Sequence, residues 1–185
     1  MKKLAVFFPG IGYTLDKPLM HYSRRLAAKL GYDVMLLSYS GFPPKIKGDQ
    51  TKMEESFHIA LKQSEEMLAD IDLQVYNDIL FFGKSIGTIA AAKIASESPA
   101  ADKIRLVLYT PLEATFAFSM KEAIAFTGTK DPWVGKHTIA DLCEQRGIPC
   151  YLIKGGNHSL ETEDVDKDIR KLRKIMKKTE KFMIG

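Results

Sequence analysis

The chain has 185 residues, of which 45% are hydrophobic and 27% charged, a balance that excludes disordered and membrane-spanning classes. That length is enough for one domain to bury a core without disulfide or metal staples. A formal net charge of +4 is too small to point to nucleic acid or an acidic membrane by itself.

The first predicted strand covers 4–8, and its apolar run stops at Pro9-Gly10, too short for an export signal or a membrane span. A cytoplasmic location is therefore the default. A helix is expected over 18–30, closed by Gly31 as C-cap, then a strand over 34–38 and an extended loop carrying Gly41-Phe42-Pro43-Pro44. Next come a helix over 51–69, a strand over 79–82, a helix over 86–97 and strands over 104–109 and 123–127. A helix over 136–146, capped by Gly147, leads to the sixth strand at 150–153 and a final helix over 165–181. In that last helix Val165, Ile169, Leu172 and Met176 recur at helical spacing, so one stripe is expected on the core while the lysines and arginines face water. Without aromatic interleaving this basic face marks no nucleic-acid or membrane partner. Cys143 and Cys150 lack Cys-x-x-Cys spacing and read as buried thiols with no disulfide. Short apolar strands alternating with longer helical patterns predict a parallel sheet covered by helices on both faces. With no repeat or linker, 1–185 reads as a single domain.

In such a sheet the ligand-binding loops follow the strand C-termini, here 9–14, 39–48, 83–87, 110–118, 128–134 and 154–160. The third of them reads Gly83-Lys84-Ser85-Ile86-Gly87, a G-x-S-x-G between an apolar strand and an Ala-rich helix. That is the setting of a nucleophile elbow, in which a sharp turn exposes the serine hydroxyl. The bland alternative is a serine that caps the following helix. Gly83-Lys84-Ser85 also resembles the tail of a phosphate-cradling loop, but the glycine that loop needs upstream is replaced by Asp78. Gly10-Ile11-Gly12 fails as a dinucleotide fingerprint because Leu15 stands at the third glycine position.

A serine needs a base to remove its proton, and the base needs an orienting partner. Gly128-Thr129-Lys130-Asp131-Pro132 places a carboxylate after one strand, and Gly155-Gly156-Asn157-His158-Ser159 places an imidazole after the last. Either alone would read as an ordinary turn or surface residue. His21, His58 and His137 lie on or near helices and are poorer bases. The expected catalytic residues are thus Ser85, Asp131 and His158. Ile86 follows the nucleophile and Ile11 lies in the loop after the first strand; their backbone N–H groups are the expected oxyanion donors. A plain glycine turn is the alternative for Pro9–Gly12. Phe116, Phe118 and Trp133 either line an apolar acyl pocket or pack in the core.

The order serine, aspartate, histidine in successive strand-edge loops resembles the α/β-hydrolase superfamily, and the chain is similar to its small bacterial esterase and dienelactone-hydrolase-like members. The resemblance spans nearly the whole chain and implies a minimal α/β-hydrolase of about six parallel strands. It implies that Ser85 attacks a carbonyl, His158 shuttles the proton, Asp131 holds His158, and water releases the acyl group, with no cofactor or metal. The partner is then a small-molecule acyl substrate such as an ester or thioester. The alternatives are an acyltransferase or amidase using the same residues, or a non-catalytic binding protein of the same fold. Two features depart from the family pattern. Pro9-Gly10 stands where His-Gly is frequent, and the first strand corresponds to the family's third, so its usual first hairpin is missing. Only 110–121 occupies the place of a cap, so an open site favouring short acyl groups is expected.

Overall fold

The computed structural model describes residues 1–135 and 137–185. Among them, one sheet contains β1 (Lys3–Phe8), β2 (Asp33–Leu36), β3 (Asp78–Lys84), β4 (Ile104–Tyr109), β5 (Glu122–Gly128) and β6 (Cys150–Ile153). All five pairings are parallel and the order is β2-β1-β3-β4-β5-β6. The inner strands read as continuous apolar runs because helices cover both of their faces.

On one face lie α2 (Gln50–Leu68), α3 (Ile86–Glu97) and α4 (Thr138–Gln145), whose Leu68, Ala90, Ala91, Ile139 and Cys143 meet Phe8, Phe81 and Leu108. The alanines of α3 let its backbone come close to the sheet. On the other face, α1 (Pro18–Lys29) and α5 (Val165–Ile184) bring Leu19, Met20, Ile175 and Met183 onto Phe7, Phe82, Tyr109 and Phe126. Phe7 and Phe82, paired across β1 and β3, stack with ring centroids 4.5 Å apart. At the N-terminal ends of the strands, Arg105 donates to Asp78 Oδ1 at 2.9 Å and to the carbonyls of Phe182 and Met183, closing the end of α5.

Several expectations need correction. β3 runs two residues past Phe82, because Gly83 and Lys84 still pair with Leu108 and Tyr109 of β4. The expected 136–146 helix begins on Lys136, outside the described residues, and α4 itself starts at Thr138. In α5, Val165 and Ile169 do not reach the core: they are 75% and 62% exposed. The buried stripe is Ile175, Thr179 and Met183, flanked by Leu172 and Met176. Its centre is a hydroxyl that meets Tyr109 Oη at 2.8 Å, as does Ser23 from α1, so a search for apolar residues selects the neighbouring stripe. Cys143 is buried and Cys150 only half-buried; both are free, and their thiols share a hydrogen bond that pushes the Cys143 thiol up. Residues 110–121 hold only the short 3-10 helix Glu113–Ala117, so no cap is inserted between β4 and β5. Among the described residues no helix is long and apolar enough to cross a membrane.

Candidate active site

The strand order reverses between β1 and β3, and in open parallel sheets such a switch point opens a crevice at the strand C-termini. Ser85 stands there, directly after β3. Its φ of 53° and ψ of −121° are a strained combination for a residue with a Cβ, costing on the order of 1–3 kcal/mol. The turn is held by Ser85 N–H donating to Tyr109 O at 3.0 Å and by Thr88 donating to Ser85 O. Both motif glycines are sterically required: a Cβ on Gly87 would stand 2.2 Å from Phe8 O, and one on Gly83 2.7 Å from Thr88 Cα. Thr110 and Leu160, in two neighbouring edge loops, also have positive φ, so strain gathers on this edge of the sheet.

The loops after β5 and β6 are joined to each other. Thr129 N–H donates to Ile153 O, Lys130 N–H to Gly156 O, and Gly155 N–H to Thr129 Oγ1. Asn157 Oδ1 accepts from the N–H groups of Ser159 and Glu161, closing a turn around His158. This places His158 Nδ1 2.8 Å from Asp131 Oδ2 and His158 Nε2 2.7 Å from Ser85 Oγ. An ionised carboxylate only accepts, so Nδ1 carries the proton and Nε2 is free to accept from the Ser85 hydroxyl. Asp131 Oδ1 accepts from Trp133 N–H at 2.9 Å, which fixes the carboxylate plane. The Asp131 side chain is 1% exposed. Burial lowers the pKa of His158 below its usual value; its bond to Asp131 opposes that shift and the Lys84 charge adds to it.

Neither a protein-family model nor a curated protein matches the sequence. Solved structures do match its fold. Est1E from Butyrivibrio proteoclasticus with ferulic acid bound superimposes with a TM-score of 0.71 at 14% identity, covering 98% of this chain and 88% of that one. An α/β serine hydrolase homologue from Coxiella burnetii gives 0.59 at 16%, covering 96% and 84%. XC6422 from Xanthomonas campestris, a serine hydrolase without a lid, gives 0.61 at 12%, covering 99% and 83%. The chain has the α/β-hydrolase fold.

Within this hydrolase fold, Ile86 is the first residue of α3, so its N–H has no partner inside the helix. The loop after β1 lies alongside the elbow, since a Cβ on Gly10 would be 3.3 Å from Ser85 Cβ. Ile11 follows Gly10 in the turn that two backbone hydrogen bonds between Gly10 and Tyr13 close. A cleft of about 610 Å³ opens between the start of α2 and the loops after β4 and β5, lined by Met53, Phe57, Ile89, Leu112, Phe118 and Trp133 together with the polar Asp49, Gln50, Glu54 and Glu113. The ring centroids of Trp133 and His158 lie 5.4 Å apart, which joins the cleft to the imidazole. Phe118 and Trp133 line this cleft, and Phe116 does not. It is 2% exposed, packed in the core beneath the Arg146 guanidinium, because the tight turn of Glu113–Ala117 points successive side chains in different directions. The α2 wall of Met53 and Phe57 escaped sequence reasoning, since nothing local says which loop or helix a cleft will borrow. The Asn157 turn had a visible signal in Gly-Asn-His. His21, His58 and His137 take no part in this hydrogen-bonded chain. Among the described residues no group of three His, Cys, Asp or Glu side chains could hold a metal ion.

Proposed function

We propose that the chain is a serine hydrolase that cleaves a small carboxylic ester or thioester through an acyl-enzyme. The observation that carries this reading is the continuous chain Ser85–His158–Asp131, with contacts of 2.7 and 2.8 Å, ending on a serine in a strained elbow. Ser85 Oγ attacks the carbonyl carbon as its proton passes to His158 Nε2. The oxyanion is met by the N–H groups of Ile86 and Ile11, and Asp131 stabilises the imidazolium. Collapse of the adduct breaks the bond to the alcohol or thiol, which leaves with the proton from Nε2. Water then attacks the acyl-enzyme with His158 again as base, releasing the acid and restoring Ser85.

The acyl group fits the apolar cleft between α2 and Trp133, and the absence of a cap leaves room for water in the second step. Est1E holds ferulic acid, and an acyl group bearing an aromatic ring suits a cleft lined by Phe57, Phe118 and Trp133. A fluorophosphonate probe and a panel of aliphatic and aryl esters test the proposal on the wild-type chain and Ser85→Ala. Labelling and ester cleavage that both vanish in the variant support it. Labelling that survives in Ser85→Ala, or a wild-type chain inert to probe and panel alike, overturns it.

A further inference from the structure

Lys84 stands directly before the nucleophile, yet no step above uses its side chain. The residue is 1% exposed. Its side chain passes under the loop after β1: a Cβ on Gly10 would lie 3.4 Å from Lys84 Cγ, and Lys84 Nζ stands 4.8 Å from the centre of the Tyr13 ring. Because Gly10 and Tyr13 close the turn that holds Ile11, the lysine supports both ends of that turn. The titratable groups facing it are Tyr13, Tyr109 on β4, Asp131 after β5, and His158 and Glu161 after β6.

Lysine is almost never fully buried without a partner. Among the described residues Lys84 is in no ion pair, so Asp131 and Glu161 compensate it only through their fields and Tyr13 through its ring face. An apolar side chain would fill the same space with no desolvation cost. The charge therefore calls for a role.

We propose that Lys84 is a positioning residue of the hydrolytic site, a buried cation that props the Gly10–Tyr13 turn against the elbow and holds its positive charge one residue from the nucleophile that His158 contacts. This rests on the reading of Ser85, His158 and Asp131 as a hydrolytic relay. A positive charge near an imidazole disfavours its protonated form, whereas the hydrogen bond to Asp131 favours it. A base with too high a proton affinity would be protonated near neutrality and could not accept from Ser85. Burial draws Lys84 itself down to about 7. Beside burial, the Lys84 charge is thus one of the causes that hold His158 below its ordinary value.

The test is an NMR titration of the His158 ring in the substrate-free chain, in the wild type, Lys84→Met and Lys84→Arg, beside the pH profile of kcat/KM. In Lys84→Met the proton affinity of His158 is expected to rise by about threefold or more, and the acid limb of kcat/KM moves to higher pH with it. Lys84→Arg, whose charge persists, keeps His158 at or below its wild-type value. A purely packing role would leave the His158 titration unmoved in folded, active Lys84→Met, and that result overturns the proposal. If Lys84→Met does not fold, the wild type supplies the test through 15N-lysine: His158 should show a second inflection where Lys84 Nζ titrates, and a single inflection overturns the proposal. Because the titration needs no substrate, a shifted His158 in a chain inert to every ester retains the link to Lys84 and overturns the hydrolytic reading instead.

Discussion

A Cβ on Gly128 would stand 2.2 Å from the carbonyl oxygen of Gly156, so the strand that delivers Asp131 and the loop that delivers His158 meet backbone against backbone. The 2.8 Å contact between the two side chains depends on that approach. Gly128→Ala is expected to push the loops apart, destabilising the chain by roughly 1–3 kcal/mol as overpacking does. The folded protein should also label far more slowly with fluorophosphonate. Urea unfolding and labelling rates check the two effects separately, and wild-type labelling in the variant would show that the approach is not needed.

Ser85→Ala is expected to lower ester turnover by on the order of a thousandfold or more. Ser85→Gly should be equally inactive, yet about 1 kcal/mol more stable than the alanine variant, because glycine accepts the elbow's positive φ. Equal urea midpoints for the two variants would mean that the elbow stores no strain.

Stability is expected to rise with pH between about 7 and 10. Lys84 is drawn down to about 7 in the folded chain, while the unfolded chain holds the proton to its ordinary value near 10.4. In that window the unfolded state binds more protons, so the slope is positive and at most about 1.4 kcal/mol per pH unit. The contribution is lost as pH falls through 7. His158, also lowered, acts with the same sign below its ordinary value near 6.5. Tyr13, Tyr32, Tyr39 and Tyr109 are raised and reverse the trend above 10. Denaturation midpoints measured across this range should rise more steeply in the wild type than in Lys84→Met, where the thiols of Cys143 and Cys150, shifted from their ordinary value near 9, still contribute.

Specificity constants for aliphatic esters are expected to climb about fourfold for each methylene buried in the cleft, from about 0.8 kcal/mol of transfer free energy, and to level off once it is full. That limit is expected within a few carbons if the cleft walled by Met53, Phe57 and Trp133 takes the acyl group. Phe57→Ala should flatten the climb with little effect on the shortest esters. A series unaffected by this change would place the acyl group elsewhere.

At the opposite edge of the sheet, Arg105→Ala leaves Asp78 and the carbonyls of Phe182 and Met183 without their partner. A loss of roughly 2–3 kcal/mol is expected, with kcat per folded molecule unchanged. A fall in kcat at full folding would show that this edge communicates with the elbow.

The alternation of short apolar runs and amphipathic stretches was enough to place all six strands and the order of the helices, because backbone periodicity and turn chemistry act over a few residues. The same locality made Ser85, Asp131 and His158 readable as loop residues that follow strands. The face of α5, the core position of Phe116, the walls that α2 lends to the cleft and the burial of Lys84 are of another kind. Each depends on which surfaces meet after the sheet has closed. Val165 and Ile169 satisfy a helical stripe as well as Ile175 and Met183 do, and only the hydroxyls of Tyr109 and Ser23, distant along the chain, select the stripe centred on Thr179. Lys84 reads as an ordinary charged residue until the turn from Gly10 to Tyr13 folds over it, because burial is a property of the packed loops and not of the residue.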